Sequence, residues 1–223
     1  MSITLAFDVY GTLINTHGIT AILKEFMGKK ADEFSHTWRN KQLEYSFRRG
    51  LMQNYKNFAI CTRDALNYSC AFHKISLTVE QKQVLLEGYK TLPCFDDVTA
   101  SLLQLKQSGY RLYAFSNGSR AAVNQLLECA GIRELFIGVI SCDDMQSYKP
   151  NPAVYSHFLR ESDAKGSEAW LISSNPFDVT GAISAGLRSA WVKRSDEAIF
   201  DPWEIEPTAI VSNLSMLEKA IEI

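Results

Sequence analysis

From Pro93 onward, short runs rich in β-branched and aromatic residues alternate with longer segments of helical pattern. YRLYAF (110–115), FIGVIS (136–141), AWLI (169–172) and SAWV (189–192) read as strands. DVTASLLQLKQSG (97–109) and RAAVNQLLECAG (120–131) read as helices stopped by Gly109 and Gly131. NPAVYSHFLRES (151–162) opens with Asn151 as a cap and Pro152 at the first helical position. DVTGAISAG (178–186) is helical, and AIV (209–211) with LSMLEKAIEI (214–223) closes the chain. Parallel strands need a crossover, and crossover helices cover the sheet, so this alternation restricts the fold to an α/β parallel sheet with helices on both faces.

One more strand, ITLAF (3–7), stands at the start and ends at Asp8. It is cut off from the others by residues 14–93, where EFSHTWRNKQLEYSFRRGLM and LTVEQKQVLLEGYKTL are helical and no convincing strand lies between. The expected division is a Rossmann-like core of residues 1–13 and 94–223 with a helical cap of residues 14–93 inserted after the first strand. An insertion at that point sits over the carboxyl ends of the strands, where open α/β sheets place ligands.

Composition excludes several function classes. The 223 residues carry a net charge of -2, which offers no electrostatic basis for binding nucleic acid or an anionic membrane. No apolar run is long enough to span a bilayer, and the start MSITLAFDVYG lacks the basic region and cleavage site of a secretory leader. Five cysteines without a C-x-x-C pair read as reduced thiols of a cytoplasmic protein, and four scattered histidines indicate no zinc site.

Polar residues gather just beyond the strand ends. Asp8 follows the first strand, Ser116-Asn117-Gly118-Ser119 the second, Lys149 lies beyond FIGVIS, and Ser173, Ser174, Asn175 and Asp178 follow AWLI. Singly, most have ordinary readings: Ser116 and Asn117 as caps, Lys149 as a solvated loop charge, Asp178 as a first-turn acid. In a parallel sheet, however, these tips share one edge, and together they describe one site.

The segments FDVYGTL, WRNKQLEYSF, FSNGS, KPNPAVY and SSNPFDVTGA, in that order, resemble the haloacid dehalogenase superfamily and, within it, the L-2-haloacid dehalogenases. The resemblance spans the whole chain and implies that Asp8 is a nucleophile. Superfamily phosphatases carry a second Asp two positions on, as general acid and base, and hold Mg²⁺ with acids of the fourth motif. Here those places are Tyr10, Ser173 and Asn175. A departing halide needs no proton, so a general acid at position 10 is dispensable for the first step. No cofactor or metal is therefore expected.

The implied reaction is hydrolysis of short (S)-2-haloalkanoic acids to (R)-2-hydroxyalkanoic acids through an ester on Asp8. Thr12 orients Asp8, and Lys149 keeps it ionised and positioned. The resemblance pairs Asp178 with Lys149 to deploy the hydrolytic water, with Ser173 and Asn175 as hydrogen-bonding neighbours. An Asp beside a Lys should be strongly acidic, which counts against Asp178 as a simple one-group base. Arg39 shares a helical face with Leu43 and Phe47. An Arg there either snorkels or points into the cleft, and the resemblance assigns it, with Asn117, to the halide. Ser116 is expected to hold the substrate carboxylate. Tyr10, Leu43, Phe58, Tyr155 and Phe177 complete the expected substrate contacts. The partners so implied are a small 2-haloalkanoate and a halide ion, with a homodimer by family analogy. A phosphohydrolase of the same superfamily and a non-catalytic binding protein on the same fold are the alternatives.

Overall fold

The computed structural model describes residues 3–221; the last two residues of the closing segment 214–223 lie outside them. Strand β1 (Thr4–Phe7) is followed by helices α1 (Gly18–Met27), α2 (Ala31–Leu51), α3 (Phe58–Phe72) and α4 (Val79–Gly88). The alternation then begins, with α5 (Val98–Gln107), β2 (Arg111–Ser116), α6 (Arg120–Cys129), β3 (Gly138–Ser141), α7 (Pro152–Glu161), β4 (Ala169–Ser173), α8 (Pro176–Ser184), β5 (Arg188–Val192), β6 (Ala209–Val211) and α9 (Leu217–Ile221). The expected strands and helices of this half are all present. Asn151 caps α7 by accepting from the Ala153 N–H, and Pro152 occupies its first turn.

Among the described residues, six strands form one parallel sheet in the order β3-β2-β1-β4-β5-β6. The period-2 alternation of side chains splits the core between two faces. Leu5, Phe7, Leu112, Ala114, Val139, Trp170 and Ile172 pack with α5, α6 and α9. Ala6, Tyr113, Phe115, Ile140, Ala169 and Leu171 pack with α7 and α8. Both faces are covered, as the apolar strands demand.

The strand order reverses at β1, which lies between β2 and β4. Phe7 is in register with Ala114 and with Ile172, so the residues just after them emerge together at one edge. Those residues are Asp8, Phe115-Ser116 and Ser173. The switch point of a doubly wound sheet is where the crevice opens, and Asp8 sits in it.

Helices α1 to α4 cover this edge and add Ile19, Leu23, Phe34, Trp38, Leu66 and Leu85 to the same apolar cluster as the sheet. Helix α3 buries Phe58, Cys61, Thr62, Ala65, Leu66, Ser69 and Cys70 at helical spacing, and it is started by Asn57, whose side chain accepts from the Ile60 N–H. Thr78 and Gln81 form a capping box at the start of α4. Among the described residues, no helix is long and apolar enough to cross a membrane.

Candidate active site

The loop after β1 folds back on Asp8. The N–H groups of Leu13 and Ile14 both donate to the Val9 carbonyl, at 3.0 and 2.9 Å. Gly11, at φ +86°, makes the tight reversal that an L side chain would strain. This brings the Thr12 hydroxyl to 2.9 Å from Asp8 Oδ2. The same oxygen accepts from Asn175 Nδ2 at 2.8 Å and from Ser173 Oγ at 3.3 Å. Among the described residues, the other oxygen, Oδ1, accepts only from Lys149 Nζ, at 3.2 Å. The two oxygens of one carboxylate are thus held very differently.

Lys149 is 1% exposed, and its ammonium donates to Asp178 Oδ2 at 2.7 Å, to the Phe115 carbonyl at 2.9 Å and to Asp8 Oδ1. Burial pulls its pKa down, but Asp178 and then Asp8 outweigh this and hold the ammonium above its ordinary value. The bland reading as a solvated loop charge is excluded. Asp178 is fully buried. Desolvation pushes its carboxyl up to about 6, against the opposing pull of Lys149 and with Asp8 adding to the rise. The expectation of a strongly acidic Asp178 is therefore corrected: removal from water outweighs the ion pair. Tyr155 is also corrected. It does not face a substrate; it is fully buried and donates from its hydroxyl to Asp178 Oδ1 at 2.8 Å.

At the tip of β2, Ser119 caps α6, not Ser116 or Asn117. Ser116 Oγ accepts from the Gly118 N–H at 3.1 Å, and Asn117 Oδ1 accepts from the Lys149 N–H at 2.9 Å. The Ser116 hydroxyl proton and the Asn117 amide NH₂ are the donors left for an anion.

On the helical side, the most buried positions of α2 are Phe34, Trp38, Gln42 and Ser46. The stripe Arg39, Leu43 and Phe47 is half-buried beside them. Arg39 Nη1 donates to Gln42 Oε1 at 2.8 Å, and Gln42 Nε2 donates to Thr62 Oγ1 at 2.6 Å. Arg39 is near both Tyr10 and Tyr89. Burial raises both phenols to about 12, and the charge of Arg39 opposes the rise. Tyr10 is thus a neutral wall. Its ring lies 6.2 Å from Phe58, and Phe177 meets Phe47 at 5.0 Å between centroids.

A cavity of about 320 Å³ opens between the helical layer and the loop after β2, lined by Tyr10, Gln42, Phe58, Ile60, Leu86 and Ala122 among others. Of the expected site residues, Tyr10 and Phe58 line it; Asp8, Leu43, Ser116, Asn117, Tyr155 and Phe177 do not. Gln42 stands where Leu43 was expected because it lies on the more buried stripe of α2, and Arg39 lines a separate cavity with Thr16, His36 and Tyr89. The i,i+3 spacing of Arg39 and Gln42 was the available signal for their pairing. Ser174 is a second residue that sequence reasoning did not assign. Its N–H donates to Thr12 Oγ1 at 2.8 Å and its hydroxyl to the Gly11 carbonyl at 2.8 Å, stitching the β4 tip to the first loop. Among the described residues, no group of three or more His, Cys, Asp or Glu is placed to share a metal ion.

A carboxylate at the switch point of a parallel sheet, a buried Lys reaching it from the loop after β3 and an acid pairing that Lys from the helix after β4 define a hydrolase site of the haloacid dehalogenase type. The family model for haloacid dehalogenase-like hydrolases matches residues 4–186. The chain is 34% identical over 218 residues to the (S)-2-haloacid dehalogenase of Pseudomonas sp. (strain YL), covering 98% of this chain and 94% of that one. It is 36% identical over 191 residues to haloacetate dehalogenase H-2 of Moraxella sp. (strain B), covering 85% of each. The structure of L-2-haloacid dehalogenase from Xanthobacter autotrophicus superposes with a TM-score of 0.93 at 25% identity, covering 100% of this chain and 99% of that one. The chain belongs to the 2-haloacid dehalogenase family of haloacid dehalogenase-like hydrolases.

Proposed function

We propose that the chain hydrolyses short (S)-2-haloalkanoic acids to (R)-2-hydroxyalkanoic acids without a metal, through an ester on Asp8. The observation that carries this is the asymmetry of the Asp8 carboxylate, with one oxygen held by three donors and the other, among the described residues, by Lys149 alone.

Oδ1 is the oxygen free to react. It attacks C2 of the substrate from the side opposite the halogen, the carbon–halogen bond breaks, and the halide leaves with the electron pair. Configuration inverts. Arg39 and the Asn117 NH₂ receive the halide, and the Ser116 hydroxyl holds the substrate carboxylate. Phe58, Phe177 and the neutral ring of Tyr10 exclude water. In the second step water attacks the Asp8 carbonyl carbon. The charge then develops on Oδ2, where Thr12, Ser173 and Asn175 already point donors, so the arrangement serves as an oxyanion hole. Asp178 takes a proton from the attacking water. Collapse expels the product oxygen, which takes up a proton, and the Asp8 carboxylate is restored. The net yield is one hydroxy acid, one halide and one proton.

The donor chemistry supports the metal-free reading. The Lys149 ammonium stands between Asp8 and Asp178, where a divalent ion would need their oxygens, and Ser173 and Asn175 are neutral. A halide-release screen over chloro-, bromo- and fluoroacetate and both enantiomers of 2-chloropropionate, with and without EDTA, tests this. Release from the S enantiomer, unaffected by EDTA and yielding D-lactate, is expected. Activity lost on chelation and restored by Mg²⁺ contradicts it, as does retained configuration. Mg²⁺-dependent hydrolysis of p-nitrophenyl phosphate would return the phosphohydrolase reading.

The division into a core of residues 1–13 and 94–223 and a cap of residues 14–93 is proposed on the same basis, because the site lies where helices α1 to α4 meet the strand tips. Homodimerisation is proposed too, on the analogy of the family. A cytoplasmic location is supported by the five free cysteines.

A further inference from the structure

Asp97 stands at the N-cap position of α5 but makes no capping hydrogen bond to its helix. An acid there ordinarily accepts from the first turn. Its two oxygens instead accept from Arg194 Nη1, at 2.8 Å each, and Oδ2 also takes the Leu214 N–H at 2.7 Å. Arg194 lies just past β5, only 14% exposed, with its guanidinium carbon 4.2 Å from the centre of the Phe95 ring. Its other terminal nitrogen, Nη2, donates to the Thr12 carbonyl at 2.6 Å. Thr12 in turn places its hydroxyl on Asp8 Oδ2. A backbone N–H just before α9, an acid, a guanidinium and the backbone of the nucleophile loop form one continuous chain of contacts. On the Thr12–Leu13 peptide the Leu13 N–H reaches the Val9 carbonyl at 3.0 Å, so the Arg194 contact at 2.6 Å is the shorter of these two ties.

We propose that Arg194, held by Asp97, is a positioning residue for ester hydrolysis, acting through Thr12 on the oxygen that carries charge in that step. The inference rests on the covalent reading above. Lysine is a poor substitute, because one ammonium lacks the planar fork that engages Asp97 and the Thr12 carbonyl at once. The two chemical steps depend on Thr12 unequally. Carbon–halogen displacement uses Oδ1, whereas hydrolysis loads Oδ2. Loosening Thr12 therefore slows the second step more than the first.

The experiment compares wild type, Arg194→Met, Arg194→Lys and Asp97→Asn in rapid-mixing reactions with (S)-2-chloropropionate. Halide release and the intact protein mass are followed together. In wild type the ester forms and clears. In Arg194→Met a halide burst stoichiometric with enzyme is expected, with the ester-bearing protein accumulating. Hydrolysis slows roughly tenfold, less than the ~10²–10³ for losing an oxyanion donor outright. Arg194→Lys and Asp97→Asn fall between. A purely structural bolt would lower Tm without separating the two steps. Equal slowing of both steps, or wild-type hydrolysis in any folded variant, overturns the proposal. If Arg194→Met does not fold, the other two variants decide it by the same criterion. Solvent label passing straight to the product with an unlabelled Asp8 peptide, in a single turnover in H₂¹⁸O, instead overturns the covalent reading, and this one with it.

Discussion

Lys149 Nζ lies 2.7 Å from Asp178 Oδ2, and both side chains are removed from solvent, at 1% and 0% exposure. The pair is not isolated, because the same ammonium also contacts Asp8. The charge state of Asp178 therefore depends on that of its neighbours.

That dependence has a sign. In the free enzyme desolvation first, and the Asp8 charge after it, raise Asp178 to about 6. Once Asp8 is esterified its charge is gone, and one cause of the rise goes with it. The acid limb of ester hydrolysis, measured by single-turnover decay of the accumulated ester between pH 4 and 8, is expected to have a midpoint below the value for the free enzyme. A midpoint at or above the one measured for the free enzyme would show that Asp178 does not accept the water proton.

Removing the cation should expose two acids to each other. Lys149→Met leaves Asp8 and Asp178 buried without their common partner. Breaking a buried pair in this way costs about 3–5 kcal/mol. Urea unfolding at pH 7 should show a loss of that order. At pH 5 the loss should be smaller, because Asp178 lies on the protonated side of about 6 and an acid without its cation is raised further. An undiminished loss at pH 5 would mean that the lost stability comes from packing of the lysine stem.

Much of this site was readable before any coordinates. Strand periodicity placed Asp8, Ser116, Ser173 and Asp178 at one edge, and the parallel register confirms that placement. What could not be read depends on burial and on distance along the chain. A Tyr on an apolar helix face looks the same whether its hydroxyl meets substrate or, as for Tyr155, a carboxylate beneath the site. The proton affinity of Asp178 depends on desolvation by residues far apart in sequence, so its neighbour Lys149 alone misled. Arg194 and Thr12 are separated by 182 positions, and no local pattern announces their contact. The pairing of Gln42 with Arg39 had a local signal, but a Gln at i+3 is common on any helix.

Arg39→Lys should be severely impaired. The guanidinium uses one nitrogen on Gln42, and in the proposed reaction its remaining donors serve the halide, which an ammonium cannot reproduce. The loss should fall on kcat by ~10²–10³, because halide charge develops in the transition state. Steady-state kinetics with near wild-type kcat would remove Arg39 from the halide site.

The cavity behind Tyr10 and Phe58 should admit chains longer than three carbons. It holds about 320 Å³, within the range of small-molecule pockets. Ala122→Phe narrows it away from Asp8. Two methylenes denied burial are worth up to about 1.6 kcal/mol, at ~0.8 each, or roughly fifteenfold in kcat/KM. The ratio of 2-chloropentanoate to 2-chloropropionate turnover should drop by about that factor. An unchanged ratio would place the alkyl chain elsewhere.

The most direct test of the central claim is where solvent oxygen goes. A single turnover is run in H₂¹⁸O with enzyme in excess, the protein is digested, and the peptide containing Asp8 is weighed beside the hydroxy acid product. Nucleophilic Asp8 gives label in that peptide and an unlabelled hydroxyl in the first product, because that oxygen comes from the carboxylate and solvent refills it. Label in the product with an unlabelled Asp8 peptide would contradict the account, since water would then have attacked C2 directly.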